Sequence, residues 1–277
     1  MVFDRLTGKV RWGVGGLGLA LAAALGAVVC QPGHVPTWGP ERHSLMGESE
    51  RSAASAGEAE RFRTAREEMV ERQLRGRDIT APLVLEAMSR VPRHRFVPHE
   101  HVEQAYHDRP LPINYGQTIS QPYIVALMTQ LAAPTAESRA LDVGTGSGYQ
   151  AAVLAEICGE VYGIEIVEPL AERSAAVLDE LGYENVTVRA GDGYRGWPEH
   201  APFDVIILAA APDHVPQPLI DQLAPGGRLV LPVGRRFQKL LVVEKQEDGS
   251  ITERSVAGVA FVPMTGEAES REERADP

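Results

Sequence analysis

Short, uninterrupted apolar runs recur along the second half of the chain, and amphipathic segments separate them. The clearest run is Asp204–Leu208 (DVIIL), in which four consecutive apolar residues leave no polar face. A strand without a polar face has to be covered on both sides, as in parallel sheets that are flanked by helices. The pattern therefore predicts an α/β fold with a doubly wound, mostly parallel sheet.

The predicted elements alternate regularly from residue 140 onwards. Strands are expected over residues 140–143, 161–166, 186–190, 205–209 and 228–233, and helices over 149–157 and 169–181. Residues 240–244 and 251–256 flank Asp248 and Gly249, a pair that indicates a hairpin. Before the first of these strands, two helices are expected, around Phe62–Ile79 and over Ala81–Ser89. They are followed by Pro92–Gln117, which contains four prolines and is expected to be irregular.

The strongest local motif is the glycine-rich stretch Leu141–Tyr149 (LDVGTGSGY), which lies between a predicted strand and a predicted helix. Glycines at alternate positions let the backbone turn tightly and approach a ligand without clashes from Cβ atoms. A dinucleotide fingerprint requires a third glycine three residues after the second, and that position is Tyr149. The spacing therefore favours a ligand without a pyrophosphate, such as an adenosyl-methionine skeleton. Contacts are expected from Asp142, Gly144, Thr145, Gly146 and Gly148.

Two further acidic residues follow the next two predicted strands. Glu165 closes the second strand, where a carboxylate can accept hydrogen bonds from both hydroxyls of a ribose. Asp192, with Gly193, follows the third strand and is placed to meet an adenine amino group. Each acid alone has a simpler explanation, as a solvated strand end or a turn residue. Because Asp142, Glu165 and Asp192 are expected at the same edge of the sheet, together they predict a cofactor site.

Composition excludes several other classes of function. The formal net charge is −11, and no basic or aromatic cluster is present that would contact nucleic acid. The two cysteines, Cys30 and Cys158, form neither a disulfide framework nor a zinc motif. The histidines lack the spacing of metal ligands, so no metal site is expected.

Two other enzyme classes share features of this pattern. A nicotinamide-dependent oxidoreductase would also place a glycine turn after its first strand, but the glycine spacing argues against it. A serine hydrolase would need glycines on both sides of the nucleophile, whereas Thr145 and Tyr149 occupy those positions around Ser147.

Five stretches of the chain resemble the protein-L-isoaspartate O-methyltransferase family. They are Val91–Pro98 (VPRHRFVP), Gly116–Pro122 (GQTISQP) with the glycine loop, Leu208–Pro212 (LAAAP), Gly226–Gly234 (GGRLVLPVG) and Phe261–Pro263 (FVP). The resemblance covers roughly residues 65–265. It implies the class I methyltransferase fold, S-adenosylmethionine as methyl donor, and isoaspartyl residues of damaged proteins and peptides as acceptors.

The resemblance also assigns roles to the segment before the glycine loop. It implies that Ser120 is the active-site serine, and that Pro112, Ile113, Gln117, Thr118 and Ile119 border the isoaspartyl peptide. From the residues alone, Ser120 is instead expected to cap the helix that carries Ile124, Leu127, Met128 and Leu131. Carboxylates are ionised at neutral pH, so the reaction needs alignment of its reactants more than it needs a base.

The N-terminal segment is unlike the rest of the chain. Residues 1–30 include three basic residues ahead of the uncharged run 12–29, which predicts a signal peptide or a membrane anchor. Residues 31–59 are interpreted as a flexible linker, 60–266 as the methyltransferase domain and 267–277 as a disordered acidic tail. Alternatively, residues 1–68 are an extension outside the natural protein, because Met69 resembles a family start.

The two interpretations predict different locations for the protein. S-adenosylmethionine is made in the cytoplasm, so a cytoplasmic enzyme is expected, whereas a functional run 12–29 would anchor or export the domain. Two further functions stay open at this point. One is a methyltransferase with another carboxyl or hydroxyl acceptor, and the other is an exported binding protein without activity.

Overall fold

A computed structural model describes residues 48–269 of the chain, with side chains from residue 56 onwards. The predicted segment 1–30, with its uncharged run 12–29, lies outside the described residues, as do residues 31–47 of the predicted linker and 270–277 of the predicted tail.

A mixed sheet of seven strands forms the centre of the described part of the chain. A short hairpin of β1 (Leu111–Pro112) and β2 (Thr118–Ile119) lies apart from it. The sheet strands are β3 (Arg139–Val143), β4 (Glu160–Glu165), β5 (Val186–Ala190), β6 (Phe203–Leu208), β7 (Leu223–Val233), β8 (Gln238–Lys245) and β9 (Ile251–Val259). Their order is β5-β4-β3-β6-β7-β8-β9. The first five are parallel, and β8 and β9 continue the sheet antiparallel. The predicted doubly wound, mostly parallel fold is confirmed.

Six α-helices are found in the described residues. They are α1 (Glu48–Glu68), α2 (Pro82–Arg90), α3 (Pro122–Ala132), α4 (Tyr149–Ala155), α5 (Glu168–Glu180) and α6 (Gln217–Asp221). The stretch predicted to be irregular contains two short 3-10 turns, Arg93–Phe96 and His99–Gln104, followed by the β1–β2 hairpin.

Both faces of the sheet are buried, as the continuous apolar strands require. On β6, Val205 and Ile207 belong to a core that includes residues of α2, α3, α4 and α5. The alternate residues Ile206 and Leu208 belong to a second core that includes Leu219 of α6. Neighbouring residues of one strand therefore enter different cores, so a one-residue slip in register would exchange the two sets.

The structure corrects two predicted segment boundaries. Helix α1 begins at Glu48, so the predicted linker is wrong for residues 48–59. This stretch is rich in Ala and Glu, which favour helix even without a buried apolar face, so it shows no apolar periodicity. At the other end, Ala268 is 1% exposed, and the Glu267 amide donates to Asp192 Oδ2 over 2.8 Å. The predicted disordered tail therefore begins too early.

The serine before α3 does not cap that helix. The N-cap is Gln121, without a side-chain hydrogen bond. Pro122 has no N–H to satisfy, and the amide of Tyr123 donates to Asp108 Oδ1 over 3.3 Å. A carboxylate from a distant loop thus accepts the hydrogen bond from the first free amide of the helix. The capping prediction for Ser120 is wrong.

No helix between residues 48 and 269 is long and apolar enough to cross a membrane.

We predict that the end of α1 contributes to the stability of the domain. Phe62 is buried, and its ring stacks on His94 with centroids 4.1 Å apart. Phe62→Ala should lower the free energy of unfolding by about 3 kcal/mol, because it removes a buried aromatic side chain. Urea denaturation measures the loss. The exposed control Glu67→Ala on the same helix should change stability by less than about 0.5 kcal/mol. Equal effects of the two substitutions would contradict the packing of α1 on the domain.

Candidate active site

A cavity opens at the carboxyl ends of the parallel strands, where β3 lies between β4 and β6. The chain leaves β3 and β6 in opposite directions at this point, which creates the crevice where α/β sheets bind ligands. The volume of the cavity that is accessible to the centre of a water molecule is about 80 Å³, and its mouth is open to solvent. Its walls come from four regions: the loop before α3, the glycine loop, the ends of β4 and β5, and the segments 209–210 and 262–265.

The glycine loop turns sharply between β3 and α4. Gly144, Gly146 and Gly148 have φ angles of 78°, 52° and 90°, values that side-chain-bearing residues rarely adopt. Gly148 also lies against α5, since a Cβ atom there would be 3.2 Å from Ser174 Cβ. Two of these glycines line the cavity, while Gly148 serves the packing of α4 on α5.

The Glu165 carboxylate joins the glycine loop to the end of β4. Its Oε2 accepts a hydrogen bond from the Gly146 amide over 2.8 Å, and Oε1 accepts one from the Val167 amide over 2.9 Å. The side chain is 5% exposed and lines the cavity. Each oxygen retains a second lone pair for a ligand.

Asp142 is fully buried in β3 and has an unsatisfied carboxylate. Neither side-chain oxygen has a hydrogen-bond partner among the described residues. Burial raises the pKa of Asp142 to about 7, and the charge of Glu165 adds to the shift, while the Thr145 hydroxyl opposes it in part. Asp142 does not line the cavity wall itself. Two neighbouring buried acids without a cation form a site at which positive charge is stabilised.

Asp192 occupies the turn after β5, and both of its oxygens accept backbone hydrogen bonds. Oδ1 accepts from the Tyr194 amide over 3.0 Å, and Oδ2 accepts from the Glu267 amide. Next to it, Gly193 lies so close to β3 that a Cβ atom would be 2.4 Å from Val143 Cγ1. Both Asp192 and Gly193 line the cavity.

Ser120 lies at the junction of the cavity and a second, outer groove. It lines both, together with Thr118, Ala209, Val262 and Pro263. The outer groove continues along β9 and past the exposed Phe237. A group bound at Ser120 can therefore reach the inner cavity while the chain that carries it remains outside.

Most of the predicted site residues lie on the cavity wall. Ten line it: Gln117, Thr118, Ile119, Ser120, Gly144, Thr145, Gly146, Glu165, Asp192 and Gly193. Four do not: Pro112, Ile113, Asp142 and Gly148. Ile113 is buried behind the glycine loop, and its Cδ1 would be 3.3 Å from a Cβ atom on Gly146. Pro112 is exposed and pairs with Thr118 in the β1–β2 hairpin.

Several parts of the wall were not predicted from the sequence, among them Ile166 and the segments 209–210 and 262–265. Ile166 is 43% exposed, unusual for an apolar residue directly after a buried strand, and its place beside Glu165 was a usable signal. The segment 262–265 overlaps the Phe261–Pro263 stretch of the family resemblance, but its sequence does not indicate a place on the cavity wall. Long-range hydrogen bonds place it, because the Ala211 amide donates to Val262 O over 2.8 Å and the Met264 amide donates to Ala211 O over 2.9 Å.

The strand order, the glycine loop and the acids at the carboxyl ends of β3, β4 and β5 define a class I S-adenosylmethionine-dependent methyltransferase fold. Comparison with known proteins identifies the branch. The sequence model described as protein-L-isoaspartate(D-aspartate) O-methyltransferase matches residues 64–269. The chain belongs to this family.

Individual relatives agree with the family match. A protein-L-isoaspartate O-methyltransferase 2 of Syntrophobacter fumaroxidans is 59% identical over 193 residues, 69% of this chain and 78% of that protein. A protein-L-isoaspartate O-methyltransferase of Gloeobacter violaceus is 56% identical over 200 residues, 72% of this chain and 98% of that protein.

Solved structures agree as well. One protein-L-isoaspartate O-methyltransferase superposes with a TM-score of 0.69 at 27% identity, covering 76% of this chain and 68% of its own. A Plasmodium falciparum structure described as such an enzyme, in complex with S-adenosyl-L-homocysteine, gives a TM-score of 0.64 at 27% identity. The match covers 72% of this chain and 98% of that one.

We predict that Asp142 makes the ligand-free protein less stable as the pH rises. With a folded pKa near 7 and an unfolded pKa near 4, the native state holds a proton that the unfolded state has lost. Stability therefore falls between about pH 4 and pH 7. Asp142→Asn cannot ionise, so its free energy of unfolding relative to the wild type should rise by on the order of 2 kcal/mol from about pH 5 to pH 8. Urea titrations without ligand measure this difference, and parallel pH profiles would refute the assignment.

Proposed function

We infer that this protein is an enzyme that transfers a methyl group from S-adenosylmethionine to the isoaspartyl carboxylate of damaged proteins and peptides. The observation that carries this inference is the junction at Ser120. There a cavity lined by a glycine loop and acids meets an outer groove, in a chain that belongs to the isoaspartate methyltransferase family. The relatives are named as enzymes of this activity.

The residues of the cavity fit the methyl donor. The donor supplies an electrophilic methyl group on a positively charged sulfur, and it also carries an ammonium group. Asp142, with two unsatisfied buried oxygens, provides negative charge for these cations, directly or through water. Gly144, Thr145, Gly146 and Gly148 form the turn that lets the backbone approach the donor.

The remaining acids would bind the nucleoside part of the donor. We assign Glu165 to the ribose hydroxyls, since its oxygens line the cavity and each keeps a free lone pair. We assign Asp192, with Gly193, to the adenine amino group. The exposed apolar face of Ile166 beside Glu165 gives the nucleoside an apolar surface.

The acceptor carboxylate is already ionised, so the task of the protein is alignment. We assign Ser120 to orient the attacking oxygen through one hydrogen bond from its hydroxyl. Gln117, Thr118 and Ile119 would border the peptide on the cavity side, and Pro112 and Ile113 would support them through the β1–β2 hairpin. Enclosure of the inner cavity excludes water from the attacking oxygen and the methyl group.

Separate substitutions should distinguish the acceptor role from the donor role. Ser120→Ala should lower the kcat for an isoaspartyl peptide roughly tenfold or more, with an unchanged Kd for S-adenosylmethionine. Glu165→Gln should raise that Kd roughly tenfold, because an amide is a weaker acceptor for the ribose hydroxyls. Radiolabelled methyl transfer and calorimetry measure the two constants.

The same assay includes a substrate control. The normal aspartyl twin of the peptide should not be methylated, and equal transfer to both peptides would refute the isoaspartyl assignment. Full turnover by Ser120→Ala would instead refute only the role of the serine.

We propose that the enzyme works in the cytoplasm, where its methyl donor is made. The alternative is a domain that is anchored to, or exported across, a membrane through residues 12–29. Fractionation of cells that carry the tagged full-length protein should place it, with its activity, in the soluble cytoplasmic fraction. Recovery in the membrane or outside the cytoplasm would contradict this location.

The net charge of −11 supports proteins rather than nucleic acids as partners.

A further inference from the structure

Arg93 is a fully buried arginine behind the candidate active site. It follows α2 in the first 3-10 turn and is 0% exposed. Its Nε donates to Ala105 O over 2.7 Å, and one terminal nitrogen donates to Ser120 O over 2.7 Å. The other terminal nitrogen has no hydrogen-bond partner among the described residues. The guanidinium carbon lies 4.7 Å from the centroid of the Tyr149 ring.

This guanidinium is charged, and no carboxylate of the described side chains contacts it directly. Burial lowers the pKa of Arg93 to about 10, and the hydroxyl groups of Tyr149 and Tyr106 offset part of the shift, so the side chain stays protonated at neutral pH. Among the described side chains of residues 56–269, no carboxylate forms a salt bridge with Arg93, and the Asp108 carboxylate, which lies farther away, also offsets part of the shift in the pKa of Arg93. An unpaired buried charge is costly, and an apolar side chain of similar volume is often as stable or more stable. Stability alone therefore does not account for arginine at this position.

What the guanidinium does provide is a link between two walls of the site. Ser120 belongs to the wall that would face the acceptor, and Tyr149 is the first residue of α4, directly after the glycine loop that would face the donor. One planar group contacts both. The guanidinium donates hydrogen bonds to two carbonyl oxygens at once, and its planar face lies over the aromatic ring. A lysine side chain cannot make both kinds of contact.

The loop that carries Ser120 is anchored in the core by Leu111, Ile113 and Ile119, but it has little regular backbone structure. The β1–β2 hairpin contains only two residue pairs, and its connection has positive φ angles at Asn114, Tyr115 and Gly116 of 81°, 52° and 72°. Ser120 itself lies outside α3 and makes no capping bond. In-line transfer requires alignment that a shift of about 1 Å can reduce a hundredfold. A fixed Ser120 carbonyl would supply that alignment.

We propose that Arg93 is a positioning residue for methyl transfer. It fixes the position of the Ser120 loop relative to Tyr149, the residue that directly follows the glycine loop. The proposal rests on the proposed function. It adds a role for the Val91–Pro98 stretch, which lies outside the cavity wall.

The test compares Arg93→Lys and Arg93→Met with a control variant, Arg95→Lys. Arg95 lies in the same turn, is exposed and pairs with Glu180 on the surface. For each full-length protein, the kcat and KM for an isoaspartyl peptide, the Kd for S-adenosylmethionine and the urea midpoint are measured. Lysine keeps the positive charge but lacks the planar guanidinium with its several N–H donors. Methionine removes the buried charge at similar volume.

We expect both Arg93 variants to fold and to lose kcat roughly tenfold to a hundredfold, while the Kd for the donor changes less than about twofold. Arg95→Lys should match the wild type. In Arg93→Ala, guanidinium chloride well below its denaturing range should restore part of the kcat, whereas sodium chloride at equal concentration should not.

Two outcomes would overturn the positioning role. One is a wild-type kcat in Arg93→Lys, and the other is failure of both variants to fold, which would make Arg93 a folding residue. Loss of donor affinity in parallel with kcat would also count against it. A wild-type protein that does not methylate the isoaspartyl peptide would overturn the proposed function itself, an outcome distinct from these.

Discussion

The hydrogen bonds of the Glu165 carboxylate hold the candidate site together. By accepting from the amides of Gly146 and Val167, this one side chain fixes the glycine loop against the end of β4 and the start of α5. The same carboxylate lies close enough to Asp142 to disfavour ionisation of that second acid. A cationic methyl donor beside these two buried acids would favour the ionised form of Asp142.

The wall that we assign to the acceptor is built differently. There the organising group is a buried cation, the Arg93 guanidinium, which binds main-chain oxygens rather than a carboxylate. We infer that the protein therefore uses opposite charges on its two walls: acids beside the bound cation, and an arginine behind the serine that orients an anion. The Glu165 carboxylate and the Arg93 guanidinium both form hydrogen bonds with the backbone. They therefore set the positions of loops that have little regular structure of their own.

Much of this arrangement could be predicted from the sequence. Parallel strands place their carboxyl ends at one edge, so Glu165 and Asp192 had to lie near the glycine loop once the strands were recognised. The prediction was poorer where a residue depends on a distant partner. Ser120 has the residue type of a helix cap, but Asp108 supplies the acceptor for the Tyr123 amide.

The same limit explains the wrong boundaries. An acidic composition predicts a solvated tail, yet Asp192, 75 residues earlier in the chain, accepts from the Glu267 amide and fixes the tail's first residues. No local pattern indicates such a pair. The buried state of Asp142 was equally hidden, because a strand residue beside a glycine loop has the same sequence context whether its side chain meets solvent or protein.

A crystal structure of the protein with S-adenosyl-L-homocysteine would test the central claim most directly. We expect the ligand in the cavity between the glycine loop and Asp192, with its ribose hydroxyls hydrogen-bonded to Glu165 and its sulfur directed towards Ser120. A ligand bound elsewhere, or a ribose without contact to Glu165, would contradict it.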